Sequence, residues 1–240
     1  MHLHHLSVTR TARVAMSGGD GMSSHNAPGE IWTVLHGYRQ TAPRFLRRFA
    51  SIAGPERRIV APEGLSRFYL ETKDRANGSG DAVGASWMTR EDRELEIEDY
   101  VRYLDEVARG LGRVPPPPPS QGPAASASKP PASPTHTVLG FSQGAHTAAR
   151  WAVLGSTPMH RLVLWGAGFP GDLPESSPSR LAGVEIVLVR GEADTLRNHR
   201  EEEREEGWLA EAGLSARILS HPGGHRVEER PLQELAGGVR

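Results

Sequence analysis

The chain has 240 residues, 37% of them hydrophobic, with 28 basic against 29 acidic side chains and no cysteine. That length and apolar content can bury roughly 70–75% of the unfolded surface around one core, so one domain spanning residues 1–240 is expected. The near-neutral balance offers no field for nucleic acid or an anionic membrane, and the lack of cysteine excludes disulfides, thiolate nucleophiles and thiolate metal sites.

The first residues carry His2, His4 and His5 with no acidic ligand fixed beside them, so a solvated terminus is expected there and no metal site. They supply neither the cationic head nor the apolar run of a secretory signal. Apolar stretches such as Val34-Leu35 or Ile186 to Val189 are strand-sized, far below the ~20 residues that span a bilayer. A soluble, cytoplasmic protein without membrane insertion is the expectation. Leu6 to Met16 alternates apolar and polar residues and predicts one or two half-exposed edge strands. Ile31 to Leu35 and Arg58 to Ala61 follow as strands. Beyond them, Ile97, Tyr100, Val101, Leu104, Val107 and Leu111 recur at three- and four-residue spacing, predicting a helix from about Glu91 to Leu111. Thr89 with Asp92 would open it as a capping box.

Val114 to Thr135 holds nine of the chain's 19 prolines, mixed with Ser, Ala, Gly and Lys, and nothing in it can bury a core. Residues 1–113 lack the strand Thr137 to Phe141, and residues 136–240 lack the early strands, so neither half completes a fold. The segment 114–135 therefore reads as a disordered insert in one domain. After it come strands Thr137 to Phe141, Arg161 to Trp165, Val184 to Val189 and Ala216 to Ser220, several continuously apolar as buried parallel strands are. An alanine-rich helix, about Gln143 to Leu154, separates the first two. The acidic run Glu201 to Glu206, broken only by Arg204, predicts the solvated face of a surface helix. Strands alternating with helices define the class: α/β, with a mostly parallel sheet covered on both faces.

Gly140-Phe141-Ser142-Gln143-Gly144 is a G-x-S-x-G set at a predicted strand-to-helix junction. A chain turning sharply there holds Ser142 in a strained conformation and projects it above the sheet, with a helix N-terminus behind it. A serine hydroxyl needs a base, and His146, His160, His199, His221 and His225 follow it in the chain. His225, in the loop Pro222-Gly223-Gly224-His225 after the last strand, can swing over Ser142; His221 is the rival. The acid that fixes the imidazole is expected in Gly191-Glu192-Ala193-Asp194, at the carboxyl end of a strand, where such sheets bind ligands. Asp194 is preferred to Glu192. Oxyanion donors are expected from the backbone amides of Gln143, directly after the nucleophile, and of Tyr38, in the loop His36-Gly37-Tyr38-Arg39-Gln40. His36 itself reads as a brace for that loop. Phe68, Tyr69, Trp87 and Met88 are apolar enough to line a substrate pocket or to pack in the core, with Trp87 and Met88 named as candidate substrate-binding residues.

Leu35-His36-Gly37, the Ser142 motif, Gly191 to Asp194 and Gly223-Gly224-His225 together resemble the phospholipase/carboxylesterase family, which includes acyl-protein thioesterases. The resemblance covers nearly the whole chain except the proline-rich insert. It implies an α/β-hydrolase fold with little or no lid, a small-molecule ester substrate, and no metal or organic cofactor. Ala61-Pro62-Glu63-Gly64 and Ala85-Ser86-Trp87 are similar to family segments that help line the acyl site. Tyr38 departs from the pattern, standing where many members carry a second glycine. With few lid candidates, short acyl esters are the expected substrates. The same triad also serves thioesters and amides, and a noncatalytic binding module on this fold is the alternative from another class.

Overall fold

A computed structural model of the chain describes residues 2–19, 29–71, 82–111 and 134–237. Seven strands form one sheet in the order β1-β3-β2-β6-β7-β8-β9, from β1 (Val14–Ser17), β2 (Glu30–Leu35), β3 (Arg57–Pro62), β6 (Thr135–Phe141), β7 (Arg161–Trp165), β8 (Glu185–Gly191) and β9 (Ala216–His221). β1 pairs antiparallel with β3, and the other six strands run parallel. A separate antiparallel hairpin joins β4 (Ser66–Tyr69) to β5 (Val83–Ser86).

Alternation along the parallel strands divides the core into two layers. Leu35, Val138, Leu162, Leu164, Ile186 and Leu188 face α2 (Arg93–Leu111) and α3 (Gln143–Leu154). Val34, Leu139, Val163, Trp165, Val187 and Val189 face α1 (Ala42–Leu46), the 3-10 turn Arg47–Phe49 and α6 (Glu229–Leu235). On α2, Ile97, Tyr100, Val101 and Leu104 form the buried stripe that the periodicity predicts. The alanines of α3 bring its backbone close to the sheet: a Cβ on Gly140 would stand 2.1 Å from the Gly144 carbonyl oxygen, and one on Gly144 2.2 Å from that of Leu35. Two further helices, α4 (Ser177–Leu181) and α5 (His199–Glu211), complete the cover.

Two sequence expectations change at the ends of elements. Of the Leu6 to Met16 run only Val14 to Met16 is strand, continuing to Ser17 and paired with Ile59–Pro62 of β3. The α2 capping box does not form: Asp92 adopts φ 50°, and the amide and hydroxyl of Thr89 turn to the Glu96 carboxylate. The proline-rich insert lies outside the described residues as far as 133, whereas Thr135 already opens β6. Among the described residues no helix is long and apolar enough to cross a membrane.

The sheet order sets the site. From β2 the chain goes outward to β3 on one side, whereas β6 and every later strand lie on the other. The carboxyl ends of β2 and β6 therefore flank a topological switch point, where loops part and leave a crevice. Leu35 pairs with Gly140 across that point, so the loop after β2 and the turn after β6 emerge side by side.

Candidate active site

Ser142 sits in the turn between β6 and α3 with φ 55° and ψ −119°. A positive φ at a non-glycine residue costs on the order of 1–3 kcal/mol, so surrounding contacts must hold it. The Ser142 amide donates to the Trp165 carbonyl at 2.8 Å, and the Ser142 carbonyl accepts from the Ala145 amide at 2.8 Å. Close packing at Gly140 and Gly144 leaves no room for the turn to relax. Ser142→Gly removes the Cβ penalty while Ser142→Ala keeps it. In thermal unfolding the glycine variant is expected to be the more stable of the two by about 1 kcal/mol.

Asp194 is buried where the chain leaves β8, and its Oδ1 accepts from the Leu196 amide at 2.9 Å. Its Oδ2 stands 2.7 Å from His225 Nδ1. An ionised carboxylate only accepts, so Nδ1 carries the proton and Nε2 is left as the free base. The imidazole rests over the Phe141 ring at a centroid distance of 4.9 Å, and so lies beside the residue that precedes Ser142. Ser142 and His225 open onto one cavity of about 400 Å3. The two alternatives fall away from it. Glu192 is exposed, and His221 is buried against Trp165, its Nδ1 accepting from the Gly223 amide.

The Tyr38 loop is held on both sides of its tip. Gly37 donates its amide to Gln40 Oε1 at 2.9 Å, Arg39 donates to the Ala85 carbonyl at 3.0 Å, and Ala85 donates to the Gln40 carbonyl at 3.1 Å. Among the described residues the Tyr38 amide has no protein acceptor, and neither does that of Gln143, which lies in the first turn of α3. The Tyr38 side chain is exposed and stacks on Phe68 at 5.4 Å. His36 is the brace that the sequence predicts. Fully buried, it accepts from the Gly64 amide at Nε2 (2.9 Å), so its proton is on Nδ1, 2.8 Å from the Gly37 carbonyl. Burial holds its pKa below the ordinary histidine value and keeps it neutral.

Of the predicted site residues, Ser142, Gln143 and His225 line this cavity, Asp194 stands behind His225, and Tyr38, Trp87 and Met88 are not among the lining residues. Trp87 is 2% exposed, packs against Tyr100 and donates Nε1–H to the His36 carbonyl, while Met88 packs against the core beside Arg150. Glu63 is likewise structural, accepting from the Ala42 amide at the start of α1.

Sequence reasoning missed the wall that does line the cavity. In α5, Glu202 and Glu205 lie three residues apart and turn inward, away from the solvated face expected for the acidic run. Partner charges account for this. Arg197 forks onto Glu202 with two bonds of 2.7 Å, and Arg190 reaches Glu205 at 3.2 Å. Glu205 also accepts from the Phe169 amide at 2.6 Å, pinning the loop after β7. Burial raises the Glu205 pKa, whereas the Arg197 hydrogen bond lowers that of Glu202. The spacing of Glu202 and Glu205 is visible in the run, but their partners lie on β8 (Arg190) and the loop after it (Arg197).

His146, one turn along α3, also lines the cavity, and burial followed by the Arg150 charge lowers its pKa to about 4. Burial lowers His36, His136 and His221 as well. Between the unfolded value near 6.5 and these depressed values, the unfolded chain binds protons that the folded chain does not. Stability is therefore complete above about pH 6.5 and falls as the pH drops toward 4. His146 alone contributes up to about 3 kcal/mol to that fall. Chemical unfolding at pH 7 and pH 4.5 is expected to show the loss, and His146→Gln to show a shallower one.

A family model described as "Serine hydrolase (FSH1)" matches residues 32–231, a span that includes Ser142, Asp194 and His225. The chain belongs to the FSH1 serine hydrolase family. Among solved structures it is similar to Zea mays acyl-protein thioesterase 2, at 15% identity, covering 95% of this chain and 97% of that one, with a TM-score of 0.64. A carboxylesterase from Mesorhizobium loti aligns at 17% identity over 94% and 92% of the two chains, with a TM-score of 0.62. The Bacillus cereus carboxylesterase aligns at 16% identity, again over 94% and 92%, with a TM-score of 0.61. No curated protein matches the sequence. This FSH1 hydrolase thus has the α/β-hydrolase fold that the resemblance of its motifs implies, on the α/β class that its strand and helix pattern predicts.

Proposed function

We propose that this FSH1 hydrolase is a serine carboxylesterase in which Ser142 is the nucleophile, His225 the general base and Asp194 the residue that orients the imidazole. The observation that carries the reading is the 2.7 Å contact between His225 Nδ1 and buried Asp194 beside a cavity shared with the strained Ser142. Ser142 Oγ attacks the ester carbonyl as His225 Nε2 takes its proton, and Asp194 stabilises the imidazolium. The carbonyl oxygen, now an anion, accepts from the amides of Tyr38 and Gln143. Collapse of the tetrahedral intermediate expels the alcohol, protonated by His225. Water, activated by the same imidazole, then releases the acid and restores Ser142.

Short acyl groups suit this site. Arg190, Arg197, Glu202 and Glu205 form much of the cavity wall, and a long alkyl chain laid against them would strip water from ion pairs without replacing it. In a p-nitrophenyl ester series, kcat/KM is expected to be highest for acetyl to butyryl and to fall at least about tenfold by palmitoyl, a loss of about 1.4 kcal/mol. Equal values for acetyl and palmitoyl esters would contradict the assignment.

A further inference from the structure

We infer that the side chain of Gln143 is a positioning residue that fixes the separation of the two oxyanion amides, acting through Trp87 and His36. The inference rests on the esterase reading above. Its basis is a chain of bonds joining the elbow to the Tyr38 loop by way of the segment after β5. Gln143 Oε1 accepts from the Trp87 amide at 3.2 Å, while Nε2 donates to Ser86 Oγ and to the Met88 carbonyl, each at 3.0 Å. The carboxamide thus grips three successive residues with both of its ends.

From there the connection continues without a gap. Trp87 Nε1–H donates to the His36 carbonyl at 2.8 Å, and the two rings lie 5.0 Å apart. His36 Nδ1–H donates to the Gly37 carbonyl, the peptide whose nitrogen belongs to Tyr38. The orientation of the Tyr38 N–H is therefore set by the same planar group that His36 holds. Ala85, one residue before this segment, makes the two backbone bonds that bracket the loop.

The arrangement is more than packing, because the Gln143 amide and the Gln143 carboxamide belong to one residue. Its backbone faces the site as one donor, and its side chain reaches through Trp87 and His36 to the peptide that carries the other. An oxyanion hole works only when both donors lie about 2.7–3.1 Å from where the anion forms. A shift of a few tenths of an ångström at Trp87 would be felt at Tyr38, while substrate binding before charge develops would feel it little.

Gln143→Met tests this, since methionine keeps the length and flexibility of the side chain and the backbone amide while removing all three bonds. Rates are measured per site titrated by a fluorophosphonate, alongside inhibition by a short alkyl trifluoromethyl ketone, whose adduct on serine carries the oxyanion. The expected result is a kcat lower by roughly ten- to a hundredfold, below the loss from deleting a donor outright. KM is expected to stay within about twofold, and ketone affinity to fall by the same factor as kcat. Trp87→Phe, which keeps an aromatic ring but loses the bond to His36, should move kcat and ketone affinity together in the same direction, and it carries the test if Gln143→Met does not fold. Unchanged kcat and ketone affinity in a folded variant of lower melting temperature would reduce Gln143 to a structural role and overturn the inference, leaving the esterase reading intact. Undiminished turnover by Ser142→Ala would overturn both.

Discussion

Ser142→Ala is expected to fold as the parent does and to lose ester turnover by a factor on the order of 10^6 in kcat, the scale of loss when a triad nucleophile is removed. Alanine retains the Cβ, so contacts around the turn survive, and the change is confined to the hydroxyl that faces the cavity. The amides of Tyr38 and Gln143, proposed as oxyanion donors, and the His225–Asp194 pair remain in place, so a residual acceleration over water of roughly 10^3 to 10^4 is expected to persist. Progress curves with p-nitrophenyl acetate, run against a heat-denatured blank, separate that remainder from spontaneous hydrolysis. A fall in kcat of less than tenfold would mean that another group carries the attack.

The second large effect is on stability, far from the site. Asp105 on α2 is buried and accepts five hydrogen bonds: from Trp151 Nε1, and from the amide and hydroxyl of both Ser156 and Thr157. It thereby ties α2 to the end of α3 and closes the turn that leads into β7. Burial alone would raise its pKa; the bonds from Trp151, Ser156 and Thr157 outweigh that and bring it to about 2. The stabilisation is therefore complete above the unfolded value near 4 and is lost as the pH falls toward 2. Asp105→Ala strands the buried Trp151 N–H and the amides of the turn, and should cost about 3–5 kcal/mol. In a chain of this length that lowers the melting temperature by roughly 10 °C. A shift under 2 °C, read by calorimetry at pH 7, would show that the turn finds other partners.

Much of this architecture is legible in the sequence because the signals are local. The buried strands are continuously apolar, α2 repeats at helical spacing, and Gly140 and Gly144 mark a junction where strand and helix backbones nearly touch. Their places in the loops after β8 and β9 also pointed to Asp194 and His225, which the structure brings into contact. What the sequence hid depends on partners that only the folded chain brings together. Trp87 looks like pocket lining until His36, 51 residues away, supplies an acceptor for its indole N–H. Glu202 and Glu205 look like solvated charges until Arg190 and Arg197 arrive from β8 and the loop behind it. The β4–β5 hairpin also escaped notice, because four residues leave little periodicity to read and β5, Val-Gly-Ala-Ser, carries only one large apolar side chain.

The central claim is that Ser142 is an activated nucleophile, and covalent labelling measures it most directly. The protein is treated with a fluorophosphonate at pH 7.5, and the adduct is located by peptide mass spectrometry in the wild type and in His225→Ala. The account predicts one adduct per chain, on Ser142, with labelling slowed at least about a hundredfold when the general base is removed. An unlabelled wild type, an adduct on another residue, or equal labelling rates in the two proteins would contradict it.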